Sequence, residues 1–262
     1  MADKIAPFSA FTNGIKRMFD SLAPRYDLLN KINSFGFDLY WRHELVSLVS
    51  REDPELILDL AAGTGSLSIA LAERNAESTV VAADLSKQML YQTLYKALKH
   101  GISDRVKIAE ANALDLPFAD NHFDAVTCAF GVRNFESIPG GLREMCRVLA
   151  PGGICAILEL CEPVTKPVND AYQIHTRKVI PFVADLFGTD AESFRYLHDS
   201  ISEAPSREDM EFLMREAGFC NTRYRVFLPG VCALYVGYKP RFEAEMQEIN
   251  SRFGKILAKE TR

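Results

Sequence analysis

Apolar residues in this chain fall in short unbroken runs, separated by stretches where they recur every three or four positions. Leu56–Leu60, following Pro54, is one such run and suits a strand buried on both faces of a parallel sheet. From Leu67 to Glu73 the spacing becomes helical, with Leu67, Ala70 and Leu71 on one side. Thr79–Ala83, Val106–Ala111, Phe123–Ala129 and Gly153–Glu159 repeat the strand signal. Between them, Ser86-Lys87-Gln88 opens a helix, and Ile138–Leu149 turns Leu142, Met145 and Leu149 inward. Ser206 is a good N-cap ahead of Arg207-Glu208-Asp209, for a helix that runs to Gly218. Finally, Tyr224–Leu228 and Val231–Tyr238 flank Pro229-Gly230, a tight turn that makes them an antiparallel pair. The pattern predicts an α/β chain: a doubly wound, mostly parallel sheet of seven strands ending in an antiparallel hairpin, with helices on both faces.

Length and composition agree with one compact enzyme domain. At 262 residues and 48% hydrophobic content, the chain can bury a large core. A net charge of −5 argues against a nucleic-acid partner held on a basic face. The six cysteines show no Cys-x-x-Cys and no paired histidine spacing, so they read as reduced, small apolar residues, with neither disulfides nor a metal site. No signal peptide opens the chain and no apolar run approaches a membrane span, which points to the cytoplasm, with peripheral contact at the inner face of a membrane if a membrane matters.

The chemistry starts at Asp59-Leu60-Ala61-Ala62-Gly63-Thr64-Gly65, between the first strand and the first sheet helix. Gly63 and Gly65 let the backbone turn sharply and let a ligand approach without meeting a Cβ. A dinucleotide fingerprint would carry a third glycine where Ser68 stands. Asp59 at the strand end would also repel a pyrophosphate while favouring a cation. S-adenosylmethionine has no phosphate and carries a sulfonium and an ammonium, so the turn points to that cofactor over a nucleotide-dependent oxidoreductase. Asp84, ending the second strand, is placed to accept both ribose hydroxyls, and Asn112 after the third has the amide to recognise an adenine edge. Their structural alternatives are a helix N-cap for Asp84 and an ordinary turn residue for Asn112.

Further motifs are more specific. Tyr26-Asp27-Leu28-Leu29-Asn30 with Ser34 and Trp41-Arg42, Gly131-Val132-Arg133-Asn134, Arg147-Val148-Leu149-Ala150-Pro151-Gly152-Gly153 and the stretch from Gly188 to Leu197 together resemble the UbiE/COQ5 family of quinone C-methyltransferases, over about Phe19 to Lys239. The hairpin end of the sheet is likewise similar to Class I methyltransferases, with their Rossmann-like fold. The resemblance implies a single methyltransferase domain over 1–240, with an N-terminal helical lid over 1–50, a substrate-covering insertion over 162–205 and a C-terminal amphipathic helix over 241–262. It implies that Asp59, Gly63, Thr64, Gly65, Asp84, Leu85, Asn112, Ala113 and Ala129 hold S-adenosyl-L-methionine. Asp38 stands where the family signature has His, Cys161 where it has Ser, Ala150 where it has Lys and Ala129 where relatives often carry Ser. Of these, Asp38 matters most, because it puts a carboxylate near the expected lid.

The implied reaction moves a methyl from the sulfonium to a ring carbon of a reduced isoprenoid quinone precursor, demethylmenaquinol to menaquinol or a ubiquinone precursor. The alternative is a catalytically inactive relative serving a quinone-synthesis assembly. Losing a hydroxyl proton makes the neighbouring ring carbon a better nucleophile, so Arg133 is expected to steady the developing oxyanion, Asn134 to orient the second ring oxygen and Tyr26 to close the site. Their structural alternatives are a loop salt bridge for Arg133 and a half-buried aromatic for Tyr26. Tyr172, Phe182 and Phe187, with Arg177 and Lys178, make the insertion either an amphipathic helix on the sheet or a cover for the isoprenoid tail near anionic lipid. Phe242, Met246, Ile249, Phe253 and Ile256 recur at helical spacing, for docking on this chain, on a second copy as a homodimer, or on a membrane.

Overall fold

The computed structural model of the chain describes residues 9–161, 163, 166, 170, 200, 201 and 204–241. The aromatic and basic cluster expected over 172–187, the family-like stretch from Gly188 to Leu197 and the C-terminal helix expected from 241 onward lie outside them, Arg241 excepted.

Three helices precede the sheet: α1 (Ala10–Leu22), α2 (Tyr26–Asn33) and α3 (Phe37–Val49). Then follow β1 (Leu56–Leu60), α4 (Ser66–Arg74), β2 (Thr79–Asp84), α5 (Lys87–Lys99), β3 (Val106–Glu110) and β4 (Phe123–Ala129). The chain continues through α6 (Ile138–Val148) and β5 (Leu149–Leu160) to α7 (Arg207–Glu216), β6 (Cys220–Phe227) and β7 (Cys232–Tyr238). The strands form one seven-stranded sheet in the order β3-β2-β1-β4-β5-β7-β6. β1 to β5 are mutually parallel, and β7 runs antiparallel to both of its neighbours.

Alternation along the inner strands assigns each side chain to a layer. Leu58, Leu60, Val126, Cys128, Cys155 and Ile157 point to the face covered by α6 and α7. Ile57, Ala125, Ile154, Ala156 and Leu158 point to the face covered by α3, α4 and α5. Both sides of the central strands are therefore dry over most of their length, which is why they read as mainly apolar runs. Each fully buried Leu or Ile contributes about 1.5–3 kcal/mol.

Two strands start four residues earlier than expected, the other boundaries agreeing to within two residues. β5 starts at Leu149 rather than Gly153, because Leu149 already pairs with Phe123 and a register shift before Ala125 absorbs the Pro151-Gly152 turn. β6 starts at Cys220 rather than Tyr224, since Asn221, Thr222 and Arg223 of this edge strand alternate in burial without being apolar. Of the segment expected to form a lid, α3 is instead built into the core: Trp41, Leu45 and Val49 are buried, and Trp41 packs edge-on against Phe130 with ring centroids 6.2 Å apart. α1 and α2 remain at the rim of the sheet, where the chain's cleft opens.

Candidate active site

In an open parallel sheet, ligands sit outside the carboxyl ends of the strands where the winding reverses. Here the reversal lies between β1 and β4. A cleft opens there, its empty space about 760 Å³ with the open solvent at its mouth included. Its floor comes from the strand ends: Leu60, Ala61 and Gly63 after β1, Asp84 and Leu85 after β2, Ala111, Asn112 and Ala113 after β3, and Ala129, Phe130 and Gly131 after β4. Ala61 (φ 52°) and Phe130 (φ 62°) both adopt the left-handed backbone region, so strain that a side chain rarely accepts is concentrated on two adjacent strand ends.

The two glycines of the turn have separate jobs. Gly63 faces the cleft at φ +56°, and a Cβ there would meet only the Tyr26 ring at 3.7 Å. Gly65 was expected to admit the ligand as well, but a Cβ there would lie 2.5–2.8 Å from Thr93 of α5. It is required by packing between the turn and α5, and does not line the cleft.

Asp84 is held by backbone: its Oδ2 accepts the Gly63 N–H and its Oδ1 the Ser86 N–H, each at 2.8 Å. The helix cap is Ser86, whose hydroxyl accepts from Met89 N–H at 3.1 Å, so Asp84 is not the N-cap of α5. Burial pushes its carboxyl pKa up, against those two bonds. Asn112 makes a turn bond, its Oδ1 accepting the Leu114 N–H at 3.0 Å, which commits one acceptor lone pair and leaves the amide N–H pair without an acceptor among the described residues. Asp59 is buried under the turn, accepting from Ser68 Oγ at 2.5 Å and Thr127 Oγ1 at 3.0 Å. Its desolvation outweighs those bonds and pushes its pKa up to about 6. Thr64 lines a smaller recess beside the cleft, donating to Asp27 at 2.5 Å and accepting from Lys96 at 2.9 Å.

Tyr26 and Asn134 line the cleft as expected from their place in the motifs, and Arg133 is not among its lining residues. The Arg133 guanidinium forms an ion pair with Glu159 at the end of β5, the two side chains being 6% and 2% exposed. Arg133 also donates to the Phe130 carbonyl at 2.7 Å, and its backbone N–H to Glu159 at 3.2 Å. The Arg133 guanidinium is thus buried beside the 130–134 loop, outside the residues that line the cleft. Asp38, expected near the lid, is likewise internal: it is buried, pairs with Arg42 and accepts from Ser34 Oγ at 2.7 Å.

The fourth wall was not foreseen. Thr12, Ile15, Lys16 and Phe19 of α1 line the cleft, together with Glu136 from the loop after β4. Glu136 accepts from Ser9 at 2.6 Å and Thr12 at 2.8 Å, bonds that hold its carboxyl below the usual pKa, and Lys16 Nζ donates to the Leu85 carbonyl at 2.9 Å. The helical spacing of Phe11, Ile15, Met18 and Leu22 was the available signal. No histidine lines the cleft among the described residues; His43, His100 and His122 lie elsewhere, and His175 and His198 are outside them.

A sulfonium cofactor fits these groups: an ionisable carboxylate buried beneath the turn, a second carboxylate at the next strand end, and a glycine at positive φ whose missing Cβ leaves room beside Tyr26. Comparison with known proteins agrees. A family model described as the ubiE/COQ5 methyltransferase family matches residues 9–239. A protein of Thermus thermophilus named demethylmenaquinone methyltransferase is 43% identical over 223 residues, covering 85% of this chain and all of the relative. The Cronobacter sakazakii protein named ubiquinone/menaquinone biosynthesis C-methyltransferase UbiE is 38% identical over 226 residues, covering 86% of this chain and 90% of the other. Among solved structures, an O-methyltransferase family protein from Burkholderia thailandensis superposes with a TM-score of 0.57 at 18% identity, over 81% of this chain and 59% of its own. That last likeness shows a shared fold.

Proposed function

This chain belongs to the ubiE/COQ5 methyltransferase family, and we propose that it transfers the S-adenosylmethionine methyl to a ring carbon of a reduced isoprenoid quinone precursor, demethylmenaquinol being the leading substrate. The observation that carries this reading is the match of 85% of this chain to the whole length of a protein named demethylmenaquinone methyltransferase. When bound, the cofactor supplies an electrophilic methyl on a positive sulfur. Gly63, Asp84, Leu85, Asn112, Ala113 and Ala129 are the residues we assign to holding it, with Asp59 setting a negative potential beneath.

What the chain itself contributes is orientation and exclusion of water. Holding reactants in line supplies several kcal/mol, up to about 7–11. Tyr26 lies over Gly63 and packs edge-on against Phe19 of α1 with centroids 5.9 Å apart, so α1 and α2 close the cleft as one aromatic cover. Asn134 is the polar side chain we assign to a ring oxygen. Arg133 acts from behind that wall as a positioning residue: with Glu159 it holds Phe130 and Asn134 in place. Ala150 and Cys161 do not enter this scheme.

The test is direct. Purified protein, S-adenosylmethionine with a labelled methyl and chemically reduced demethylmenaquinol should give product labelled on the ring. A ubiquinone-type precursor is the comparison arm, because the Cronobacter sakazakii relative is named for both quinones. Label transfer to neither ring overturns the assignment.

A further inference from the structure

Asp27, the residue after the covering Tyr26, has no part in the contacts assigned so far. Successive residues of α2 rest on successive residues of the turn after β1. A Cβ on Gly63 would meet the Tyr26 ring at 3.7 Å, and Asp27 Oδ1 accepts from Thr64 Oγ1 at 2.5 Å. Ser66, the first residue of α4, donates to the same oxygen at 3.3 Å, and Lys96 of α5 pairs with Oδ2 at 2.5 Å. Lys96 Nζ also donates to Thr64 Oγ1 at 2.9 Å and to Ser66 Oγ at 3.0 Å. The two hydroxyls therefore pass hydrogen bonds from the ammonium to the carboxylate, an arrangement in which each bond strengthens the next.

This cluster fixes where α2 sits. With eight residues, α2 is too short to hold its own shape in water, and among its described side chains only Asp27 is hydrogen-bonded to the body of the fold. The charge also lies in the first turn of α2, where the helix dipole favours an anion. Burial raises the Asp27 pKa, and the bonds from Lys96, Thr64 and Ser66 outweigh it and bring the pKa below the usual value. Unlike the buried Arg133–Glu159 pair, the Asp27 side chain is 50% exposed and that of Lys96 22%. Such a pair adds little to global stability, so its consequence is local.

We propose that Asp27 is a positioning residue for the methyl transfer: joined to Lys96, Thr64 and Ser66, it catches α2 against the turn and so holds the Tyr26 ring over Gly63. Lys96, on a helix of the sheet layer, is the fixed post of this catch. The proposal rests on the reading of Tyr26 as the cover that orients the reactants and excludes water.

The experiment follows label transfer from saturating S-adenosylmethionine to reduced demethylmenaquinol in a single turnover. Asp27→Asn and Lys96→Met should each slow transfer by about ten- to a hundredfold, as a displaced orienting group does, with little change in unfolding temperature. Lys96→Arg should keep most of the rate, because a guanidinium carries the same charge to the same carboxylate. In a Tyr26→Ala background, Asp27→Asn should add little, since the catch acts through the ring it places. Transfer at the wild-type rate by Asp27→Asn, with Tyr26→Ala slow, overturns the proposal and leaves the Tyr26 reading standing. A double variant slowed by the product of the two single effects also overturns it, because Asp27 would then act independently of the ring. If Asp27→Asn does not fold, Lys96→Met carries the same comparisons from the α5 side with α2 intact. Transfer at the wild-type rate by Tyr26→Ala overturns the Tyr26 reading and this proposal together.

Discussion

The Asp84 carboxylate accepts the Gly63 backbone N–H at 2.8 Å, so the end of β2 is tied directly to the turn after β1. The group assigned to the ribose thus also braces the wall that surrounds it. Asp84→Ala should weaken S-adenosylhomocysteine binding at least about tenfold through loss of charged acceptors. It should also cost about 1–3 kcal/mol of stability, because the Gly63 and Ser86 N–H groups lose their partner. Calorimetry and thermal unfolding read the two separately, and unchanged affinity removes Asp84 from the site.

Asp59 sets a pH dependence. Its folded pKa of about 6 lies above the ordinary 3.8, so at intermediate pH the folded chain holds a proton that the unfolded chain has released. The stability this group contributes is present below about pH 4 and lost as pH rises through about 6, a difference of about 3 kcal/mol at most. Cofactor affinity should move the other way, weakening as pH falls through about 6, because the cation prefers the ionised form. Asp59→Asn should flatten both profiles. A wild-type affinity constant from pH 5 to 7.5 would exclude Asp59 from contact with the cofactor's charge.

Gly65→Ala should unfold at lower temperature than Gly63→Ala. Both positions have positive φ, costing about 1 kcal/mol for any side chain, but only the Gly65 Cβ collides with Thr93. Thr93→Ala in the Gly65→Ala background removes the nearest atoms yet leaves Thr93 Cβ's position 2.8 Å away, so it should recover only part of the loss. Gly63→Ala should instead act on cofactor affinity. The reverse ranking in thermal unfolding would mean that the turn packs differently.

Arg133→Ala leaves the Glu159 carboxylate buried without its ion partner, an outcome that costs about 3–5 kcal/mol. Stability and cofactor affinity should fall together, with kcat per folded molecule lowered by about tenfold or less as Asn134 shifts. Adding Glu159→Gln should restore part of the stability. A stable, cofactor-binding Arg133→Ala whose kcat on reduced demethylmenaquinol falls about a hundredfold would instead place the guanidinium on the substrate.

What could be read from the sequence was what neighbours along the chain encode. Leu56–Leu60 and Phe123–Ala129 were legible as strands because a strand dry on both faces needs a mainly apolar run, broken here only by Asp59, Asp124 and Thr127. Ser206 and the 138–148 helix were legible from caps and spacing, and Gly63, Asp84 and Asn112 because each follows a strand at the ligand edge of the sheet. Tertiary structure alone decided which groups meet. Arg133 and Glu159 are brought together by the parallel register that sets Ala129 beside Leu158, and no local pattern states that register. The same holds for Gly65 against Thr93, and for α1 as the fourth wall, bonded through Thr12 to Glu136 far along the chain. Periodicity records which side of an element is dry; the partner of a charge or the neighbour of a glycine depends on how distant elements stack, which is settled only when the sheet assembles.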